Sequence, residues 1–129
     1  MKSPLILLTA LILAICPLVG CSGEAKPTIE PVETITTSVN SEFSTTREFN
    51  LVSGYMWRED YNEDKLELSK SSIDVIKEGE QEDAPLILIQ VFQFKALKKG
   101  TTYITLIYQR AALDGPMIAR QEVIRVDIK

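Results

Sequence analysis

An all-β sandwich is the fold this sequence predicts, and three observations predict it. Beyond residue 31 no stretch carries apolar residues at helical spacing, whereas short runs rich in Val, Ile, Thr, Tyr and Phe recur, several of them alternating apolar with polar side chains. Turn-forming clusters separate those runs: Asn40-Ser41, Asn50 to Gly54, Lys98-Lys99-Gly100 and Asp114-Gly115-Pro116. The resulting count, about seven strands in roughly 100 residues, is that of an immunoglobulin-like antiparallel β-sandwich.

Taken in order, the 129-residue chain opens on a segment outside that fold. Lys2 gives a positive start, residues 5–15 are almost unbroken apolar, and Leu18-Val19-Gly20-Cys21 closes the run, the pattern of an export signal. The run is shorter than the roughly 20 residues a membrane-spanning helix requires. Leu18-Val19-Gly20-Cys21 resembles the lipobox of prokaryotic lipoproteins. That resemblance implies cleavage before Cys21, acylation of its thiol, and anchoring of the exported chain in the cell envelope (outer membrane or cell surface). The alternative is an ordinary secreted chain in which the cysteine is incidental.

On this reading residues 1–20 are a lipoprotein signal peptide, residues 21–31, small and polar with Pro27 and Pro31, a flexible tether, and residues 32–129 the domain. Cys16 lies in the discarded segment and Cys21 is acylated, so the domain has no thiol and relies on its core. Losing residues 1–20 removes one lysine and takes the formal charge from −4 to −5. With no basic patch, nucleic acid is excluded as a partner, and the membrane is reached through the lipid alone.

Within the domain, residues 32–39 form a first Thr/Ile/Val run, turned at Asn40-Ser41-Glu42 into residues 43–49. Asn50 and Gly54 bracket a tight five-residue loop, because both tolerate turn backbone that other residues avoid. Tyr55 and Trp57 then alternate with Met56 and Arg58, placing two aromatics on one strand face. A charged turn at residues 60–64 leads to residues 66–69 and 73–76, one or two short strands. Residues 77–85 are an acidic loop around Gly79. In residues 86–97, Phe92, Phe94 and Ala96 point inward; after a hairpin turn at Lys98-Lys99-Gly100, Ile104, Leu106 and Tyr108 do the same. A loop at residues 111–116 precedes the last strand, where Ile124, Val126 and Ile128 alternate with Arg125, Asp127 and Lys129. In a sandwich of this kind alternate connections gather at one end, so the loops at residues 50–54, 77–85 and 111–116 form one surface.

Enzyme chemistry has no foothold. The chain has no histidine to act as general base, the domain no cysteine nucleophile, and no phosphate-cradling Gly loop or Cys/His metal spacing occurs, so no cofactor is expected. Asp60-x-Asn62-x-Asp64 begins like a calcium loop, but Lys65 stands where the turn glycine belongs and Ser71 where a bidentate glutamate does.

The order Asn50-x-x-x-Gly54-Tyr55-x-Trp57, then Phe92-x-Phe94-x-Ala96 through Gly100, Ile104 and Tyr108 to Arg110, resembles the chagasin-type inhibitors of papain-like cysteine proteases over most of residues 32–129. The resemblance implies an immunoglobulin-like framework whose three loops wedge into a protease cleft. The matching loop residues are Asn50, Leu51, Val52, Ser53 and Gly54, then Gly79, then Arg110, Ala111, Ala112 and Leu113. Three departures in the loops, and one in the second strand, accompany it. Leu51, Val52 and Ser53 replace the family's Pro-Thr-Thr, Gly79 is the one glycine of its middle Gly-x-Gly-Gly, and Ala111-Ala112 follows Arg110 where the family has Pro-Trp. Thr45 and Arg47 also occupy positions that are usually inward and apolar. Two readings follow: an inhibitor of such a protease, or a non-inhibitory binding or structural module of the envelope on a degenerate form of the same scaffold.

Overall fold

Alternation becomes strand along the whole domain in the computed structural model, which describes residues 26–77 and 86–129. The strands are β1 (Pro31–Thr37), β2 (Glu42–Phe49), β3 (Met56–Tyr61), β4 (Leu66–Lys77), β5 (Leu86–Ala96), β6 (Gly100–Arg110) and β7 (Met117–Ile128). One 3₁₀ turn, Leu51–Ser53, lies between β2 and β3. The strands form two sheets, ordered β1-β7-β6-β3 and β2-β5-β4. Pairing is antiparallel except between β1 and β7, which run parallel, so the sandwich is not antiparallel throughout. A parallel pair needs a long connection, and here the rest of the domain supplies it.

The core lies where the alternating side chains of the two sheets meet. Phe92, Phe94 and Ala96 on β5 face Ile104 and Leu106 on β6 and Ile124, Val126 and Ile128 on β7, with Leu66, Phe49 and Trp57 closing the layer. Phe94 stacks on Phe43 (5.7 Å between centroids) and takes Tyr61 edge-on at 5.1 Å. Burying each large apolar side chain stabilises the fold by about 1.5–3 kcal/mol.

The structure sharpens the sequence reading at four places and corrects it at two of them, the charged turn and the supposed hairpin. Residues 66–76 are a single strand, because a bulge between Leu68 and Lys70 shifts the inward parity from Leu66 and Leu68 to Ser71, Ile73 and Val75. The charged turn is narrower: Asp60 and Tyr61 belong to β3, and Asn62 makes the turn, its Oδ1 accepting the Asp64 N–H at 2.9 Å. Lys98-Lys99-Gly100 is not a hairpin turn, since β5 and β6 lie in different sheets and the segment crosses between them. Gly100 fits because it adopts φ +135° and leaves room for the Lys65 ammonium, which donates to the Thr101 carbonyl. Finally, Thr45 and Arg47 do sit on inward positions. The Arg47 guanidinium bonds Glu122 (3.0 Å) and Glu33 (3.3 Å), an ionic clasp between the sheets in place of apolar packing.

On the outer face of β7, Arg125 Nε and Thr101 Oγ1 both donate to Asp127 Oδ1, at 3.0 and 2.9 Å. The Arg125 bond first, and the Thr101 bond after it, hold the Asp127 carboxyl below the usual carboxylate range. A carboxyl whose pKa falls on folding contributes stability above its unfolded pKa and loses it as pH drops through the folded value. Asp127→Asn is therefore expected to lower the melting temperature by a few degrees at most near neutral pH. The difference from the parent chain should vanish in strong acid, which thermal melts across the acid range would read.

Candidate functional site

The first loop is built almost wholly from its own hydrogen bonds. Asn50 keeps extended backbone and caps the 3₁₀ turn, its Oδ1 accepting the Val52 N–H at 2.9 Å. The Asn50 carbonyl accepts both the Ser53 N–H (3.2 Å) and the Ser53 hydroxyl (2.7 Å), and that hydroxyl in turn accepts the Tyr55 N–H at 3.2 Å. Gly54 closes the turn at φ +81°, its N–H bonding the Leu51 carbonyl at 3.1 Å. A Cβ there would meet no neighbour, so left-handed backbone and not space is what Gly54 provides. With the polar groups so engaged, Leu51 is 64% and Val52 94% exposed.

Below the loop an aromatic stack joins it to the core. Trp57 is buried, its ring 4.8 Å from that of Tyr108, which lies 5.3 Å from Tyr55. The Trp57 indole N–H donates to the Glu48 carbonyl at 3.0 Å. Gln90, buried on β5 of the opposite sheet, accepts the Trp57 N–H (2.7 Å) and donates to its carbonyl (3.0 Å), standing in for a neighbouring strand. The Tyr108 hydroxyl accepts the Asn50 N–H at 3.5 Å.

The third loop follows β6. Arg110 lies 5.3 Å over the Tyr55 ring and directs Nη2 to the Met117 sulfur at 3.5 Å. Ala112 and Gly115 close a turn through a 3.1 Å bond, and Leu113 at its tip is fully exposed. Ala111 and Ala112 are exposed as well. Between the first and third loops runs a groove of about 530 Å³ lined by Gly54, Met56, Arg58, Arg110 and Pro116 over Trp57. Met117 and Ile118 continue the apolar surface at its edge.

Nine of the ten expected loop residues thus fall on two neighbouring loops at one end of the sandwich, though Asn50, Ser53 and Arg110 have structural work there. The tenth, Gly79, lies outside the described residues, as does Cys21; the Lys77–Leu86 pairing shows that the middle connection leaves from the same end. Sequence reasoning missed Gln90, although it shares the inward parity of Phe92 and Phe94, and missed the placement of Arg110 on Tyr55. Among the described residues no cluster of three or more acidic, Cys or His side chains could hold a metal.

The class these features define is an immunoglobulin-type β-sandwich with two of its connections presented as an exposed surface at one end. No protein-family model matches the chain, and no curated protein matches it. Solved structures do. The chain is similar to the cysteine protease inhibitor EhICP2 from Entamoeba histolytica, with 29% identity, 75% of this chain and 86% of that one covered, and a TM-score of 0.66. Amebosin shares the fold at 17% identity, with 74% and 88% covered and a TM-score of 0.51.

Proposed function

We propose that this chain inhibits papain-like cysteine proteases by filling the active-site cleft with its end loops. The observation that carries the reading is the first loop: a preformed turn, rigid through internal hydrogen bonds, that holds Leu51 and Val52 out into solvent. The 29%-identical likeness to a cysteine protease inhibitor supports the same partner. No chemistry is required of the inhibitor. The Asn50 and Leu51 carbonyls are occupied by Ser53 and Gly54, so neither is free to enter an oxyanion hole as a scissile carbonyl must. Rigidity before binding lowers the ordering cost of association.

One observation favours the second reading, a non-inhibitory binding or structural module of the envelope. Ala111 and Ala112 provide no large anchor on the third loop, which leaves that role to Leu113, Met117 and Ile118. Titrating residues 22–129 against papain-like proteases, with activity and binding read together, separates the two. Stoichiometric loss of activity is expected; binding at undiminished activity, or no binding by the folded domain to any of several enzymes, would end the inhibitor reading and leave the second, with its partner to be sought in the envelope.

The N-terminal sequence adds a location to this reading. Cys21, following Leu18-Val19-Gly20, anchors the exported chain to the cell envelope through its acylated thiol, where it meets proteases outside the cytoplasm. Mass spectrometry of the chain from a bacterial host is expected to show a lipid-modified N-terminal Cys21, and an unmodified Cys21 would refute the anchor.

A further inference from the structure

The four edges of the two sheets are not equally protected, and the difference points to a second partner. On one side of the sandwich the edges are β1 and β2. β1 is short, opens on Pro31 and is irregular between Pro31 and Glu33, while the Arg47–Glu33 ion pair ties it to β2. On the other side, β3 has its Trp57 amide and carbonyl held by the Gln90 side chain, so that strand cannot pair there. These are the devices by which sheet edges avoid adding strands.

β4 divides into two halves. Its first half carries a bulge between Leu68 and Lys70, a similar device. Its second half runs in regular register from Lys70 to Lys77, and no bulge interrupts it there among the described residues. Ile73 and Val75 sit there on the inward parity, yet are 51% and 60% exposed, because β3 in the facing sheet has six residues to the twelve of β4. The adjoining residues 78–85 read Glu-Gly-Glu-Gln-Glu-Asp-Ala-Pro and contain no large apolar side chain that could cover them.

The charge order along this half names the occupant. If two copies pair antiparallel about a two-fold axis at Ser72, Lys70 of each lies opposite Asp74 of the other, both on the outer parity. The same register sets Ile73 beside the partner strand's Ser71 and diagonal to its Ile73, extending one apolar surface across the junction. A register centred on Asp74 would instead oppose like charges.

We propose that the chain forms a two-fold dimer by pairing β4 with β4 of a second copy about Ser72, joining the two three-stranded sheets into one of six strands. The dimer leaves the first and third loops of each copy outside the junction.

The test uses the full chain in detergent, with no protease present, so its outcome is independent of the inhibitor reading. Residues paired across antiparallel strands have Cα atoms about 4.5–5.5 Å apart, within disulfide range. Ser72→Cys should give, on mild oxidation, a covalent dimer whose peptide map contains a disulfide between the two β4 peptides, one from each copy. Ser44→Cys, exposed on β2 of the same sheet, should not form the corresponding link. Adding Lys70→Asp to Ser72→Cys should cut the yield of the β4–β4 disulfide at least about tenfold by opposing like charges, and Asp74→Lys on top of it should restore the yield. A β4–β4 disulfide yield no higher than the random level of Ser44→Cys would overturn the dimer. A yield indifferent to Lys70→Asp, or not restored by the double reversal, would overturn the register and with it the proposal.

Discussion

A Val52→Asp chain is expected to melt at the same temperature as its parent and to inhibit a papain-like protease at least about thirtyfold less well. The first half follows from exposure: Val52 is 94% exposed, and what ties it to the loop is its backbone N–H on Asn50, which the substitution leaves in place. The second half follows from what the side chain does on the proposed surface. An apolar contact at the centre of an interface, once removed, commonly costs about 2 kcal/mol, and 1.4 kcal/mol is tenfold in affinity. A carboxylate that must be desolvated on entering a cleft costs more than the lost contact alone. Inhibition constants and thermal melts on the same preparations check both halves. An unchanged inhibition constant would mean that the first loop does not enter the cleft.

The largest loss of stability is expected from Trp57→Ala, about 3–5 kcal/mol. That is a large share of the 5–15 kcal/mol that holds a domain of this size folded, and it corresponds to a fall in melting temperature of roughly 12–30 °C. Trp57 is buried, stacks on Tyr108 at 4.8 Å and closes the edge of the core beneath the first loop. Its removal opens a cavity, leaves the Glu48 carbonyl without the indole donor, and takes the support from the Tyr108 ring whose hydroxyl meets Asn50. The first loop should therefore loosen together with the core. Chemical denaturation of this variant beside Val52→Asp would separate a defect in the scaffold from a defect in the contact surface. Stability of Trp57→Ala within about 1 kcal/mol of the parent would show that the stack does not support the fold as described.

Much of this architecture is legible in the order of residues. The alternation of Phe92, Phe94 and Ala96, of Ile104 and Leu106, and of Ile124, Val126 and Ile128 marks the inward face of three strands, and each of these side chains is buried. Asn50 and Gly54 announce a tight turn, and the structure uses both as caps of one. Even the bulge in β4 leaves a trace, since Leu66 and Leu68 have one parity and Ile73 and Val75 the other. In the sequence it resembles a gap between strands because the Lys70-Ser71-Ser72 stretch between them is polar.

Strand periodicity and turn chemistry depend on near neighbours, so the order of residues was enough to fix both. Features that join residues far apart in the chain were settled by packing. Lys98-Lys99-Gly100 has the local chemistry of a hairpin whether its flanking strands pair or cross between sheets, and only the packing of the two layers chose the crossing. Gln90 and Trp57 meet across 33 positions, and Arg47 and Glu122 across 75. Neither contact changes the local pattern on which periodicity depends, because a polar side chain on an inward position looks like an error until its partner arrives from the other sheet. The site follows the same division. The apolar character of Leu51, Val52 and Leu113 is a matter of residue type alone, whereas the fold set them at the tips of two loops over one groove, with Arg110 laid on Tyr55 between them.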